Sequence, residues 1–220
     1  MLPEELVQLA KERMAPYPCE GFLPGRGPKH PLLFFIGEAP GETEIHSLMP
    51  FSGRAGKELD LFLERAAVDR SEVFISSAVR SRPYQYKTKQ IRGETVTKKY
   101  NRTPTKAEVL AHAPVLDYEI AQTEPEILVT LGRIGWERIT GSKEKITEVA
   151  GKLIEQPIQQ LKSIEEDSFV LSEKIYRIFP TYHPASVFYN PGLRPVIEEH
   201  AYSIRELLNR KGRCNGENQR

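Results

Sequence analysis

The sequence predicts an α/β protein with a central, mostly parallel four-stranded sheet and helices on both faces, in a single domain spanning residues 1–210. Three observations carry this expectation. Four short runs, residues 31–36, 73–77, 127–132 and 174–179, are dominated by β-branched, aromatic and leucine side chains and read as strands. The runs at 31–36 and 127–132 are apolar almost throughout, the pattern of a strand buried on both faces. Stretches with helical spacing alternate with them, and that alternation implies βαβ units and a parallel sheet.

In chain order, residues 4–14 predict a first helix. Pro16, Pro18, Pro24 and Pro28, mixed with Gly21, Gly25 and Gly27, then make an irregular segment. After the first strand, Leu59, Phe62, Leu63 and Ala66 recur at helical spacing and predict an amphipathic helix over 56–67. The second strand follows directly. Residues 84–102 turn polar and basic and read as a loop. A helix over 104–123 opens with Thr105 and Glu108 at capping-box spacing. The third strand leads into a short helix ending near Thr140. Residues 142–172 are left open, a hairpin flap containing Lys152, Leu153 and Ile154 being one reading. The fourth strand ends in Pro180-Thr181-Tyr182-His183-Pro184, a terminal helix covers 195–210, and the polar tail 211–220 is expected to be disordered.

Composition narrows the class. The chain has 220 residues, 31 Lys+Arg against 30 Asp+Glu, 39% hydrophobic and 28% charged residues, which excludes disordered, collagen-like and coiled-coil proteins. No run approaches the ~18 apolar residues of a membrane helix, and the charged N-terminus lacks a signal-peptide core, so a cytoplasmic protein without a membrane partner is expected. Cys19 and Cys214 lie near opposite ends of the chain, which disfavours a disulfide framework or a cysteine-based metal site.

Ligands of parallel α/β sheets bind beyond the carboxyl ends of the strands. Three segments fall there: Gly37-Glu38-Ala39-Pro40-Gly41-Glu42-Thr43-Glu44, Ser77-Ala78-Val79-Arg80 and Tyr182-His183-Pro184-Ala185-Ser186. With Phe51 they bring carboxylates, hydroxyls, an imidazole and an aromatic ring toward one crevice. His183 cannot lie inside a helix, because the residue before proline is pushed to an extended backbone. Basic residues Arg80, Arg82, Lys87, Lys89, Arg92, Lys98, Lys99 and Arg102 crowd one stretch with Tyr84, Tyr86 and Tyr100 between them, a composition suited to nucleic-acid phosphates.

Gly37-Glu38-Ala39-Pro40-Gly41 with Glu44, Pro50-Phe51-Ser52-Gly53-Arg54-Ala55-Gly56, Asn101-Arg102-Thr103-Pro104-Thr105, Leu131-Gly132 and His183-Pro184-Ala185-Ser186 resemble, in that order, the uracil-DNA glycosylase superfamily, and most of all its family four. The resemblance covers about residues 30–205. It implies a monofunctional DNA glycosylase of base excision repair, a monomer acting on DNA that contains a deaminated base. His183 then stabilises the departing uracil anion, Glu38 and Glu44 orient water or stabilise the sugar cation, and Phe51 stacks on the flipped base in a pocket that includes Gly37, Ala39 and Ser77. Ser186, Val187 and Phe188, with Tyr189, look like the segment that fills the gap left in the duplex.

Two departures from the family pattern matter. Family-four enzymes commonly hold a four-cysteine iron–sulfur cluster, whereas this chain has Ser81 and His112 at two of the expected positions; no such cluster, and no other cofactor or metal, is expected. Ser77 stands where the family has an asparagine that reads the uracil edge, which opens the alternative of hypoxanthine or xanthine as substrate. Residues 84–102 contain no histidine to trap the sugar covalently. Two other functions compete: a non-catalytic DNA-binding protein on the same fold, and a hydrolase in which Glu38, Glu44 and His46 hold a metal.

Overall fold

The computed structural model describes residues 2–91 and 94–217. The elements are α1 (Glu4–Met14), β1 (Cys19–Glu20), β2 (Leu33–Gly37), α2 (Glu42–Ser47), α3 (Arg54–Ala66), β3 (Val73–Ser77), β4 (Arg82–Ile91), β5 (Glu94–Asn101), α4 (Lys106–Ala111), α5 (Ala113–Thr123), β6 (Ile127–Leu131), α6 (Arg133–Thr140), α7 (Ile146–Val149), β7 (Ile154–Leu161), β8 (Phe169–Thr181) and α8 (Leu193–Glu217). The central sheet has the order β3-β2-β6-β8-β7. Its first four strands are parallel, as the sequence predicts.

Side chains alternate across this sheet and build two cores. Leu33, Phe35, Val129 and Phe179 pack against Leu59, Phe62 and Leu63 of α3 and Ala201 and Ile204 of α8. Phe34, Ile36, Leu128 and Ile178 face the other way, onto Leu116 and Ile120 of α5 and Trp136 and Ile139 of α6. Each such buried side chain contributes about 1.5–3 kcal/mol. Among the described residues no helix is long and apolar enough to cross a membrane.

The sheet differs from the expected four strands. A fifth, β7, pairs antiparallel with β8, which starts at Phe169 rather than Lys174, so the undecided segment forms a hairpin. Pro157 interrupts its apolar pattern and coincides with a register shift, both tolerated on an edge strand. A second sheet, β1-β4-β5, replaces the expected basic loop. The helix over 104–123 breaks at His112, because Pro114 lacks an N–H and its ring clashes with the preceding turn. The terminal helix continues to Glu217 where a polar tail was expected, since extending a docked helix costs little per residue; residues 218–220 lie outside the described residues.

Candidate active site

Four parallel strands end at one rim, with Gly37, Ser77, Leu131 and Thr181 as their last residues. The three segments singled out from the sequence therefore meet there. Phe51 joins them from the loop before α3, its ring centroid 5.8 Å from that of His183 at 33°. Phe51 adopts φ 50°, a left-handed conformation that costs a residue with a side chain about 1–3 kcal/mol and needs support from its surroundings. That support is visible. Arg70 donates to the carbonyls of Pro50 (2.8 Å) and Phe51 (3.3 Å) while pairing with Asp60. Gly56 lies so close that an added Cβ would sit 1.8 Å from the Phe51 carbonyl oxygen, and Gly37 leaves room for the ring itself.

His183 has the extended backbone that Pro184 imposes, φ −64° and ψ 134°, and opens the short turn Pro184–Phe188. The Ala185 N–H donates to its Nδ1 at 3.1 Å, so the single proton of the neutral ring is assigned to Nε2. Burial lowers its pKa to about 4, which keeps the ring neutral at physiological pH. Gly132, at φ 82°, begins α6 beside it; a Cβ there would come within 3.1 Å of the His183 Cβ.

The two carboxylates differ. Burial raises the pKa of Glu38 above the ordinary value, opposed by the Thr103 hydroxyl and, more weakly, by the charge of Arg133. Burial also raises Glu44, but the Gly41 N–H donates to that carboxylate and the Phe51 N–H faces it. Glu44 thus ties the first turn of α2 to the Phe51 loop, whereas Glu38 carries no backbone bond of that kind. Ser77 donates its hydroxyl proton to the Val79 carbonyl at 2.7 Å, which leaves its oxygen as an acceptor, approached by the Arg80 guanidinium at 3.5 Å. Ala39, Glu44, Phe51, Ser77 and Arg80 line a small cleft of about 20 Å³, open to solvent.

The basic cluster divides. Arg80 is 1% exposed, and its guanidinium pairs with buried Glu119 at 2.6 Å. Arg82 is 2% exposed and bonded to Asn101, Glu20 and Glu42. Neither can reach a phosphate, which corrects the expectation for both. Such burial is permitted because each charge finds a carboxylate partner. Lys99 is half-buried against Glu20 with its ammonium over Tyr84, while Lys87, Lys89 and Lys98 are exposed. Arg92 lies outside the described residues.

The turn expected to fill the gap in the duplex also divides. Val187 is 5% exposed and packs between α3 and α8, so it cannot enter a duplex. Ser186 is half-buried, its hydroxyl enclosed. Phe188 lies under the Arg54 guanidinium at 4.3 Å, and Tyr189 is 90% exposed. Sequence reading gave Thr103 no role of its own and missed Arg70 and Arg133, which carry no local signal: Arg70 acts 19 residues away from Phe51.

Neither metal reading fits. A four-thiolate cluster needs four cysteines and the chain has two. Around Cys19 the structure instead buries an Arg102–Glu108 ion pair, with the thiol 3.5 Å from the Glu108 carboxylate and its pKa pushed up to about 12 by burial and that charge. Ser81 and His112 are buried, and burial lowers His112 to about 3. Among the described residues Glu38, Glu44 and His46 do not converge as a group of three metal-ligating side chains.

Comparison with known proteins agrees with this geometry. Residues 24–203 match the model of the uracil DNA glycosylase superfamily. The chain is 34% identical over 213 residues to a type-4 uracil-DNA glycosylase of Sulfurisphaera tokodaii, covering 94% of this chain and 83% of the relative. A type-4 uracil-DNA glycosylase of Saccharolobus solfataricus is 34% identical over 194 residues, 86% and 77% of the two chains, and one of Archaeoglobus fulgidus is 28% identical over 218 residues, 94% and 96%. With the family residues gathered on one rim and the match spanning most of its length, the chain belongs to the uracil-DNA glycosylase superfamily.

Proposed function

We infer that the chain is a monofunctional uracil-DNA glycosylase of base excision repair, hydrolysing the bond between a flipped deaminated base and its sugar. The observation that carries this reading is the neutral His183 ring held beside Phe51 on the rim that bears Glu38. Cleavage pushes negative charge onto the uracil ring, and a preorganised Nε2–H directed at that charge lowers the barrier without first having to lose a proton. Glu38 is the carboxylate for orienting water and facing the sugar cation, since Glu44 is occupied with holding the Phe51 loop. Phe51 supplies the stacking surface. Tyr189, exposed on the turn after His183, is the side chain free to enter the duplex.

Ser77 supports a broader substrate range. Its acceptor oxygen suits the imino N–H that uracil, hypoxanthine and xanthine share, and it opposes cytosine, whose ring nitrogen is an acceptor at that place. A single hydroxyl reads less than a planar amide, so discrimination among deaminated bases is weak. The same reading takes the protein as one domain and a cytosolic monomer that works without an iron–sulfur cluster or another cofactor, as its cysteine-poor composition supports.

The test is a single-turnover assay on duplexes carrying uracil, hypoxanthine or xanthine. Wild type releases uracil; Glu38→Gln and His183→Ala do so far more slowly; Ser77→Asn narrows release toward uracil. A wild-type protein that binds DNA but frees no base would leave only the non-catalytic reading.

A further inference from the structure

The β4–β5 hairpin joins the second sheet at its base, where β1 pairs with Pro83 and Arg82. Its register puts directly opposed residues on a common face. One face carries Tyr84, Tyr86, Thr88, Thr97 and Lys99. It is internally satisfied: the two tyrosines stack edge to face at 5.6 Å, the threonine hydroxyls bond at 2.9 Å, and Glu20 neutralises Lys99. The other face carries Lys87, Lys89 and Lys98 around Tyr100, with the ammonium groups of Lys87 and Lys89 at 5.7 and 5.9 Å from its ring.

We propose that this hairpin is an arm that grips the phosphate backbone of duplex DNA through the Lys87, Lys89, Lys98 and Tyr100 face alone. The proposal rests on the glycosylase reading and deepens it, separating the residues that hold the duplex from those that act on the base. Three observations carry it. The three lysines are exposed with no carboxylate partner among the described residues, and Lys87 stands directly opposite Lys98, an arrangement that disfavours the hairpin itself and is relieved by a bound polyanion. Lys87 and Lys89, two residues apart on one strand, project from the same face about 6.6 Å apart, forming a row rather than a point charge. The base of the arm also touches the catalytic loop: Arg82 lies 3.4 Å from Glu42, and Thr103, two residues past β5, faces Glu38. A duplex whose damaged base sits at the rim therefore runs beside the arm, and a two-stranded ribbon has the dimensions to follow it.

The experiment measures affinity for undamaged duplex DNA across a salt series, by fluorescence anisotropy, for the full chain. With all three lysines replaced, as K87Q/K89Q/K98Q, the slope of log affinity against log salt becomes shallower by about 2.7, at about 0.9 per phosphate contact. Lys99→Gln, on the other face, changes it by less than one such contact. An unchanged slope in the triple variant overturns the proposal, as does a slope change in Lys99→Gln equal to that of the triple variant. Lysines on a free ribbon edge also deter pairing with another chain; a triple variant that aggregates while its monomer keeps the wild-type slope assigns them that role instead. Binding to undamaged DNA needs no chemistry, so the two readings fail separately. Lysine-dependent binding without base release sinks the glycosylase, and uracil release with an unaltered slope sinks the arm.

Discussion

The loops at the sheet rim and the hairpin that springs from beside them are both crowded with polar side chains, yet they hold them in opposite ways. At the rim and just beneath it, Arg80 and Glu119 are enclosed and Glu44 and His183 half-buried, each bonded to a defined partner, and burial moves the pKa of Glu38, Glu44 and His183. On the arm, Lys87, Lys89 and Lys98 stand in solvent, with no carboxylate partner among the described residues, and Lys87 and Lys89 lie near the Tyr100 ring. Enclosed groups interact through a low dielectric, so one substitution has a large, specific effect; exposed charges act together and are screened by salt. The difference separates chemistry from holding.

The largest effect belongs beneath the rim. Glu119 accepts from Arg80, Ser76 and the Gly25 N–H in a buried cluster under the pocket. Glu119→Ala strands the Arg80 guanidinium and is expected to lower unfolding free energy by about 3–5 kcal/mol, read from the urea midpoint. The double variant Arg80→Met/Glu119→Leu, which removes both charges, recovers most of that loss. If Glu119→Ala unfolds like wild type, the rim is not enclosed as described.

Next comes His183. Its replacement by alanine removes one preorganised donor, with an expected loss of about 10²–10³ in single-turnover uracil release. The pH profile sharpens the assignment. Glu38 must be ionised to act, and burial raises its pKa and with it the acid limb, whereas burial lowers the imidazole's to about 4. The limb should therefore persist in the residual activity of His183→Ala. A limb that disappears with the histidine would transfer the titration to the ring. Arg70→Met is milder: without its bonds to the Pro50 and Phe51 carbonyls the stacking ring loses its brace, and kcat/KM is expected to fall about tenfold, or about 1.4 kcal/mol.

How far each region could be read from the sequence follows the same division. The rim was readable because a strand that ends in Gly37, or in Pro180 through Pro184, announces both its direction and its turn, and His183-Pro184 fixes a backbone. The arm was not, because neither face of β4 and β5 is consistently apolar, so the period-two signal of a strand is carried mostly by threonine, lysine and tyrosine. β7 hid behind Pro157, which is at home only on an edge. Ion pairs such as Arg80–Glu119, 39 residues apart, leave no trace in local pattern, so Arg80 and Arg82 looked like surface cations until their partners were seen.

The smallest effect bears most directly on what the arm is for. Lys87 and Lys98 face each other across the ribbon, and like charges so placed are unfavourable, whereas an uncharged, β-branched threonine suits an exposed strand. Lys98→Thr is therefore expected to raise stability by a few tenths of a kcal/mol and to weaken duplex binding, shown by a thermal melt and a salt titration on the same sample. A residue that improves the fold when removed and harms only the encounter with a polyanion is held there by the encounter. If Lys98→Thr instead lowers the melting temperature and binds duplex like wild type, the lysine serves the hairpin, and the contrast between an enclosed rim and a gripping arm loses its second half.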